Sequence, residues 1–161
     1  MRLALLALIA IPLTGRLAVA EVGSERRPKS FFTPGPSIDF GLDGSLRFGG
    51  ELAVAQYTGS WGMGAAFGFV SSRLYLEAQT ALVLGGPSNN FLVGLNPGLV
   101  IDVSADVPRY GGQLALWGSY ARNTGRLWAS PIVPFVRMQA VAGMGLVLTG
   151  GLMLKLPILV S

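Results

Sequence analysis

From residue 36 to residue 158 apolar and polar side chains alternate with a period of two, the pattern of strands whose two faces meet different surroundings. The clearest stretch is Arg73 to Leu84. Leu74, Leu76, Ala78, Thr80, Leu82 and Leu84 share one face, and Arg73, Tyr75, Glu77, Gln79, Ala81 and Val83 the other. In Ser45 to Tyr57, Leu46, Phe48, Leu52 and Val54 oppose Ser45, Arg47 and Glu51. In Ser60 to Val70, Trp61, Met63, Ala65, Phe67 and Phe69 oppose Gly62, Gly64, Ala66 and Gly68. Phe91 to Val103 and Arg109 to Ala121 repeat the rhythm, with Asn96, Asp102, Gln113 and Ser119 on the polar row. It is weaker in Pro36 to Leu42, Pro131 to Val141 and Leu146 to Ile158, where Pro134 interrupts the second of these. Asp43-Gly44, Thr58-Gly59, Gly85-Gly86-Pro87 and Asn123-Thr124-Gly125 are turn sequences. The pattern predicts about eight strands, most of them long enough to cross a bilayer at a tilt. The count is least defined between residues 126 and 150.

Two kinds of barrel share this alternation. A soluble one points its apolar row inward, and a membrane one points it at lipid. Here the polar row is mostly Gly, Ala and Ser with one or two charges per strand, too sparsely charged for a water-facing surface. Small residues of this kind suit the crowded interior of an eight-stranded barrel. The expected fold is therefore all-β: a closed antiparallel up-and-down transmembrane barrel over residues 36–160, apolar outside and small or polar inside. Only a closed sheet leaves no backbone edge unpaired in lipid. A membrane helix over Ala140 to Val160 is disfavoured by its glycines, by Pro157 and by leucines at alternate positions.

The N-terminus reads differently. Arg2, the apolar run Leu3 to Leu13 and Ala18-Val19-Ala20 make a signal peptide over residues 1–20, cleaved before Glu21. Residues 21–35 are charged, hold two prolines and lack periodicity, and are expected to be a flexible lead-in. Cleavage removes Arg2 and Arg16, so 12 basic and 8 acidic residues become 10 and 8. The basic pI then says nothing about nucleic acid, and no nucleic-acid partner is expected. Histidine and cysteine are absent. That removes thiol and imidazole chemistry, disulfides, and His or Cys metal sites; no cofactor or metal is expected.

On this architecture the chain resembles the small eight-stranded bacterial outer-membrane barrels of the OmpA and OmpX type, over about residues 36–158. The resemblance implies a location in the outer membrane, with outer-membrane lipid and the barrel-assembly machinery as partners. It also implies a C-terminal assembly signal, which Thr149, Gly151, Leu154 and Leu156 fit. The departure is that such barrels usually end at an aromatic residue, whereas this chain continues to Ser161. With both termini in the periplasm, Gly85 to Asn90 and Arg122 to Ser130 are long connections on the periplasmic side, the reverse of the usual pattern.

The candidate site is a charge network in the lumen: Asp39, Arg47, Glu51, Arg73, Glu77, Asp102, Arg137 and Lys155, with Arg109 near a rim. Ions buried in a narrow lumen must be paired, so the expectation is a salt-bridged plug. Arg137 is placed at mid-depth, where Asp39, Glu51 and Glu77 are also inward; Glu51 or Glu77 is expected to balance it, and Lys155 to lie beside the strand of Asp39. Trp61, Phe91, Tyr120 and Trp128 fall at strand ends on one side, as an aromatic girdle would. Without a base, and with Glu51 and Glu77 inside a filled barrel, no catalytic residue is assigned and the chain is read as non-enzymatic. A structural or surface-interaction role in the envelope is favoured. The alternatives are a periplasmic barrel that binds a lipid or other apolar ligand internally, and a narrow ion channel.

Overall fold

The computed structural model describes residues 29–58, 61–85, 89–123, 127–129, 131–156 and 158–160. The segment assigned as a signal peptide lies outside them. The elements are β1 (Lys29–Gly41), β2 (Leu46–Thr58), β3 (Trp61–Val70), β4 (Arg73–Gly85) and β5 (Asn89–Asp102). They continue with β6 (Arg109–Asn123), β7 (Leu127–Ala129), β8 (Ile132–Val141), β9 (Gly145–Leu154) and β10 (Ile158–Val160). Every pairing is antiparallel; apart from β6 with β8, and β1 with β9 and β10, the partners are neighbours in the chain. β7 and β8 both pair with β6 and form one stave; β9 and β10 form another against β1. The result is a closed barrel of eight staves.

The register fixes how the strands lie. Ser30 faces Gln56, which faces Met63, which faces Thr80. The Thr80 hydroxyl is hydrogen-bonded to the Leu95 backbone, and the circuit continues through Leu116, Val136 and Gly150 to Phe40. It leaves β1 at residue 30 and returns at residue 40, a stagger of ten. Such a stagger tilts the staves, and eight of them enclose a space that side chains can fill.

The barrel starts earlier than the periodicity indicates. Lys29 to Gly35, expected to be flexible, are strand and pair with β2 from Lys29↔Tyr57 onward. Pro34 and Pro36 hid this, because proline cannot donate to a ladder. The Pro34 carbonyl accepts from the Leu156 N–H at 3.2 Å, so the missing donors of both prolines face the break between β9 and β10. The long connections are also corrected. β7 extends the β6 hairpin, and β4 and β5 run to Gly85 and from Asn89. Between Ala129 and Phe135 the β7–β8 stave holds two residues more than β6 uses between Trp117 and Ala121. Pro131 and Pro134 lie in that bulge, which is why the alternation fades there.

A similar defect crosses β4 and β5. Pairing stops after Glu77↔Gly98 and resumes at Leu82↔Val93. Pro97 has no N–H to offer, and side chains bridge the gap. The Thr80 N–H donates to Asn96 Oδ1 at 3.0 Å, and the Leu95 N–H donates to Thr80 Oγ1 at 3.1 Å. At the end opposite the termini the β1–β2, β3–β4 and β8–β9 turns are tight, with Gly44, Ser71 and Gly143 in the left-handed region (φ 77°, 53° and 75°).

The apolar row faces outward on every stave. Leu52, Phe67, Leu82, Leu95, Leu116, Val136 and Leu152 are all about half exposed, and 31 large hydrophobic side chains are exposed among the described residues. Among the described side chains, no charged residue of a strand shares that face. Inside, Ala81, Leu92, Trp117, Val133, Phe135 and Met153 cluster toward the termini, and Tyr75, Val100 and Val141 toward the turns.

Candidate functional site

The inward row of each stave delivers its polar side chains to one connected arrangement. Arg137, from β8, is 1% exposed and its Nη1 donates to Asp39 Oδ2 of β1 at 2.9 Å. Its guanidinium carbon lies 4.4 Å from the centre of the Tyr75 ring and 4.8 Å from that of Phe135. Such contacts favour a cation that has lost its water.

Glu51, on β2, is the most heavily engaged carboxylate. It accepts from Lys155 Nζ at 2.7 Å, from Gln79 Nε2 at 2.9 Å and from the Tyr75 hydroxyl at 3.1 Å. The Lys155 ammonium also lies 5.6 Å from the centre of the Trp117 ring. Near the turns, Arg73 Nε donates to Asp102 Oδ2 at 3.0 Å. The other oxygen of Asp102 accepts from the Ser104 N–H at 2.9 Å and from the Ser104 hydroxyl.

Glu77 differs from the other three lumen carboxylates. It has no cation within ion-pair distance among the described residues. It accepts from Asn96 Nδ2 and Gln113 Nε2, both at 2.8 Å. Asn96 Oδ1 in turn accepts from Trp117 Nε1 at 3.1 Å. Gln113 is joined through Gln139 to Arg73, at 2.9 and 2.8 Å.

Seven of the eight candidate lumen charges thus take part in interior contacts. Arg47 sits at the mouth, where it pairs with Asp43 of the β1–β2 turn at 3.3 Å. That turn is further held by Ser45, whose hydroxyl and backbone N–H both donate to Asp43 Oδ1. These donors hold the Asp43 carboxyl below its ordinary range. Arg109 is exposed at the rim. The network also takes in residues that a search for charges alone overlooks: Tyr75, Gln79, Asn96, Gln113, Trp117 and Gln139. All six sit on the inward parity, and that parity was the available signal.

The other candidates are placed as follows. Trp61 begins β3 and Phe91 and Tyr120 stand opposite each other on β5 and β6, all toward the termini. The Phe91 and Tyr120 rings meet edge to face at 5.7 Å. The Trp128 side chain lies outside the described residues. Thr149 and Gly151 face inward on β9, while Leu154 and Leu156 are exposed on the outer face. A Cβ at Gly151 would run into the Ile38 carbonyl oxygen and meet the Phe135 ring at 2.6 Å, so packing alone asks for glycine there.

Comparison with solved structures finds the crystal structure of Ail, the attachment invasion locus protein of Yersinia pestis. The two are 14% identical, with a TM-score of 0.38, over 78% of this chain and 93% of that one. No family model and no curated protein sequence matches this chain. The closed barrel stands on its own strand register.

Proposed function

We propose that this chain is a non-enzymatic β-barrel of the bacterial outer membrane, with a structural or surface-interaction role in the envelope and a lumen plugged by its charged network. The observation that carries this reading is the segregation of charge. Each charged strand residue with a described side chain points inward or lies at a rim, while the outer wall is Leu, Val, Ile and Phe on all eight staves. Strands of 10 to 15 residues at a barrel tilt give a band of roughly 25 Å, which suits an outer-membrane hydrocarbon layer. A water-soluble barrel would leave this surface as one continuous apolar patch, far beyond the few hundred Å² that soluble monomers tolerate.

The lumen supports the plug. Its carboxylates are each engaged by donors from other staves, and Trp117, Phe135 and Met153 pack together toward the termini. Export by the segment 1–20, insertion by the barrel-assembly machinery through Thr149, Gly151, Leu154 and Leu156, and a girdle of Trp61, Phe91, Tyr120 and Trp128 at the membrane interface belong to the same proposal. Fractionation tests location: the mature chain should stay with the outer membrane and need detergent for release. Release by osmotic shock overturns it in favour of a periplasmic barrel. Planar-bilayer recording tests the plug: the folded protein should show no steady conductance, and clear single-channel currents contradict it.

A further inference from the structure

We propose that Glu77 is an ionised carboxylate held by the fixed amide donors of Asn96 and Gln113 rather than by a cation in contact with it, and that Gln113 and Gln139 link it across the lumen to Arg73. Glu77, Gln113, Gln139 and Arg73, tied through Asp102 to the loop after β5, then act as one polarised latch. The direction of every link follows from groups that can only donate. Arg73 Nη1 lies 2.8 Å from one terminal atom of Gln139, so that atom must be the oxygen. The other terminal atom of Gln139 is therefore its NH2, and the Gln113 atom 2.9 Å away must be an oxygen. This leaves the Gln113 NH2 facing Glu77 Oε2 at 2.8 Å.

The second branch is fixed in the same way. The Thr80 N–H and Trp117 Nε1 are both pure donors, and both meet one atom of Asn96, at 3.0 and 3.1 Å. That atom is the oxygen, so the Asn96 NH2 faces Glu77 Oε1 at 2.8 Å. Each oxygen of Glu77 is thus met by an N–H whose direction cannot reverse. Both must accept, which an ionised carboxylate does and a neutral acid does less well. At the far end, Arg73 grips Asp102, which holds Ser104 at the start of the loop between β5 and β6.

The test exploits the locked directions. Glu77→Gln is nearly isosteric but turns an NH2 toward Asn96 or toward Gln113, donor against donor. It should raise the unfolding equilibrium constant in urea about ten-fold or more. Adding Gln113→Glu should recover most of that loss: the new amide at position 77 can donate to the new carboxylate at position 113, which still accepts from Gln139. The wild-type side-chain carboxyl carbon of Glu77, observed by NMR of the detergent-solubilised barrel at pH 7, should show the shift of an ionised group. That reading does not depend on either variant folding. A neutral-acid shift, or a Glu77→Gln variant as stable as the wild type, overturns the proposal. So does a double variant that folds but is no more stable than Glu77→Gln alone.

Discussion

Replacing Arg137 by methionine is the sharpest probe of what holds the lumen together. Methionine keeps much of the length and the contact with Tyr75 and Phe135, but removes the charge that faces Asp39 at 2.9 Å. Asp39 is 1% exposed, so its carboxylate would be left in a site closed to water. Breaking one partner of a buried pair typically costs about 3–5 kcal/mol, mainly through the stranded charge. With a urea slope of about 2 kcal/mol per molar, the unfolding midpoint should fall by roughly 2 M. Asp39→Asn in the same chain should return a large part of this, because the amide carries no charge to strand. Glu51→Gln should not, since Glu51 is held by Lys155, Gln79 and Tyr75. A midpoint shift below about 0.5 M, or better rescue by Glu51→Gln than by Asp39→Asn, would refute the reasoning.

Leu76→Arg places a charge on the outer face of β4 and should cost about 2–4 kcal/mol on folding into lipid vesicles, whereas Gln79→Arg, inward and beside Glu51, should cost less; the reverse order would mean the barrel is inside out. Gly151→Ala should destabilise the purified barrel by about 1–3 kcal/mol through its clash with the Ile38 carbonyl and the Phe135 ring. An unchanged urea midpoint with lost assembly in cells would instead make Gly151 a recognition residue. The Asp43 carboxyl is depressed by its Ser45 donors, so its support of the β1–β2 turn is complete above the ordinary aspartate range and is lost as pH falls through the lower, folded-state value. An NMR titration should find Asp43 below 3.8 in the wild type and nearer to it in Ser45→Ala; no difference between them would contradict the turn geometry.

Much of the barrel was legible because period two does not depend on distant contacts. Each residue of Arg73 to Leu84 announces its face, and the inward placement of Glu77 and Gln79 follows. What was obscured lies at prolines. Pro34 and Pro36 make the first half of β1 resemble a linker, because the sequence does not show that their missing donors meet a gap in the opposite stave. Pro131 and Pro134 sit in a bulge whose two extra residues keep the inward parity while blurring the rhythm. Partner choice within the lumen was not legible either. Asp39, Glu51 and Glu77 are equally inward, and only the ten-residue stagger brings Asp39, rather than the others, to Arg137. The amides were overlooked for a different reason: Gln113 and Gln139 carry no charge, yet they connect Glu77, the lumen carboxylate with no direct cation among the described residues.

The central claim is that the wall of Leu, Val and Phe faces lipid. The chain has no cysteine, so single cysteines can be introduced and spin-labelled without background. Labels at Leu82, Leu95, Leu116, Val136 and Leu152, one on each of five staves, can be compared for collision with oxygen, which partitions into lipid, and with a water-soluble nickel chelate. The account predicts high oxygen and low nickel accessibility at all five positions in the vesicle-inserted protein. Ready access of the nickel chelate to these positions would contradict it.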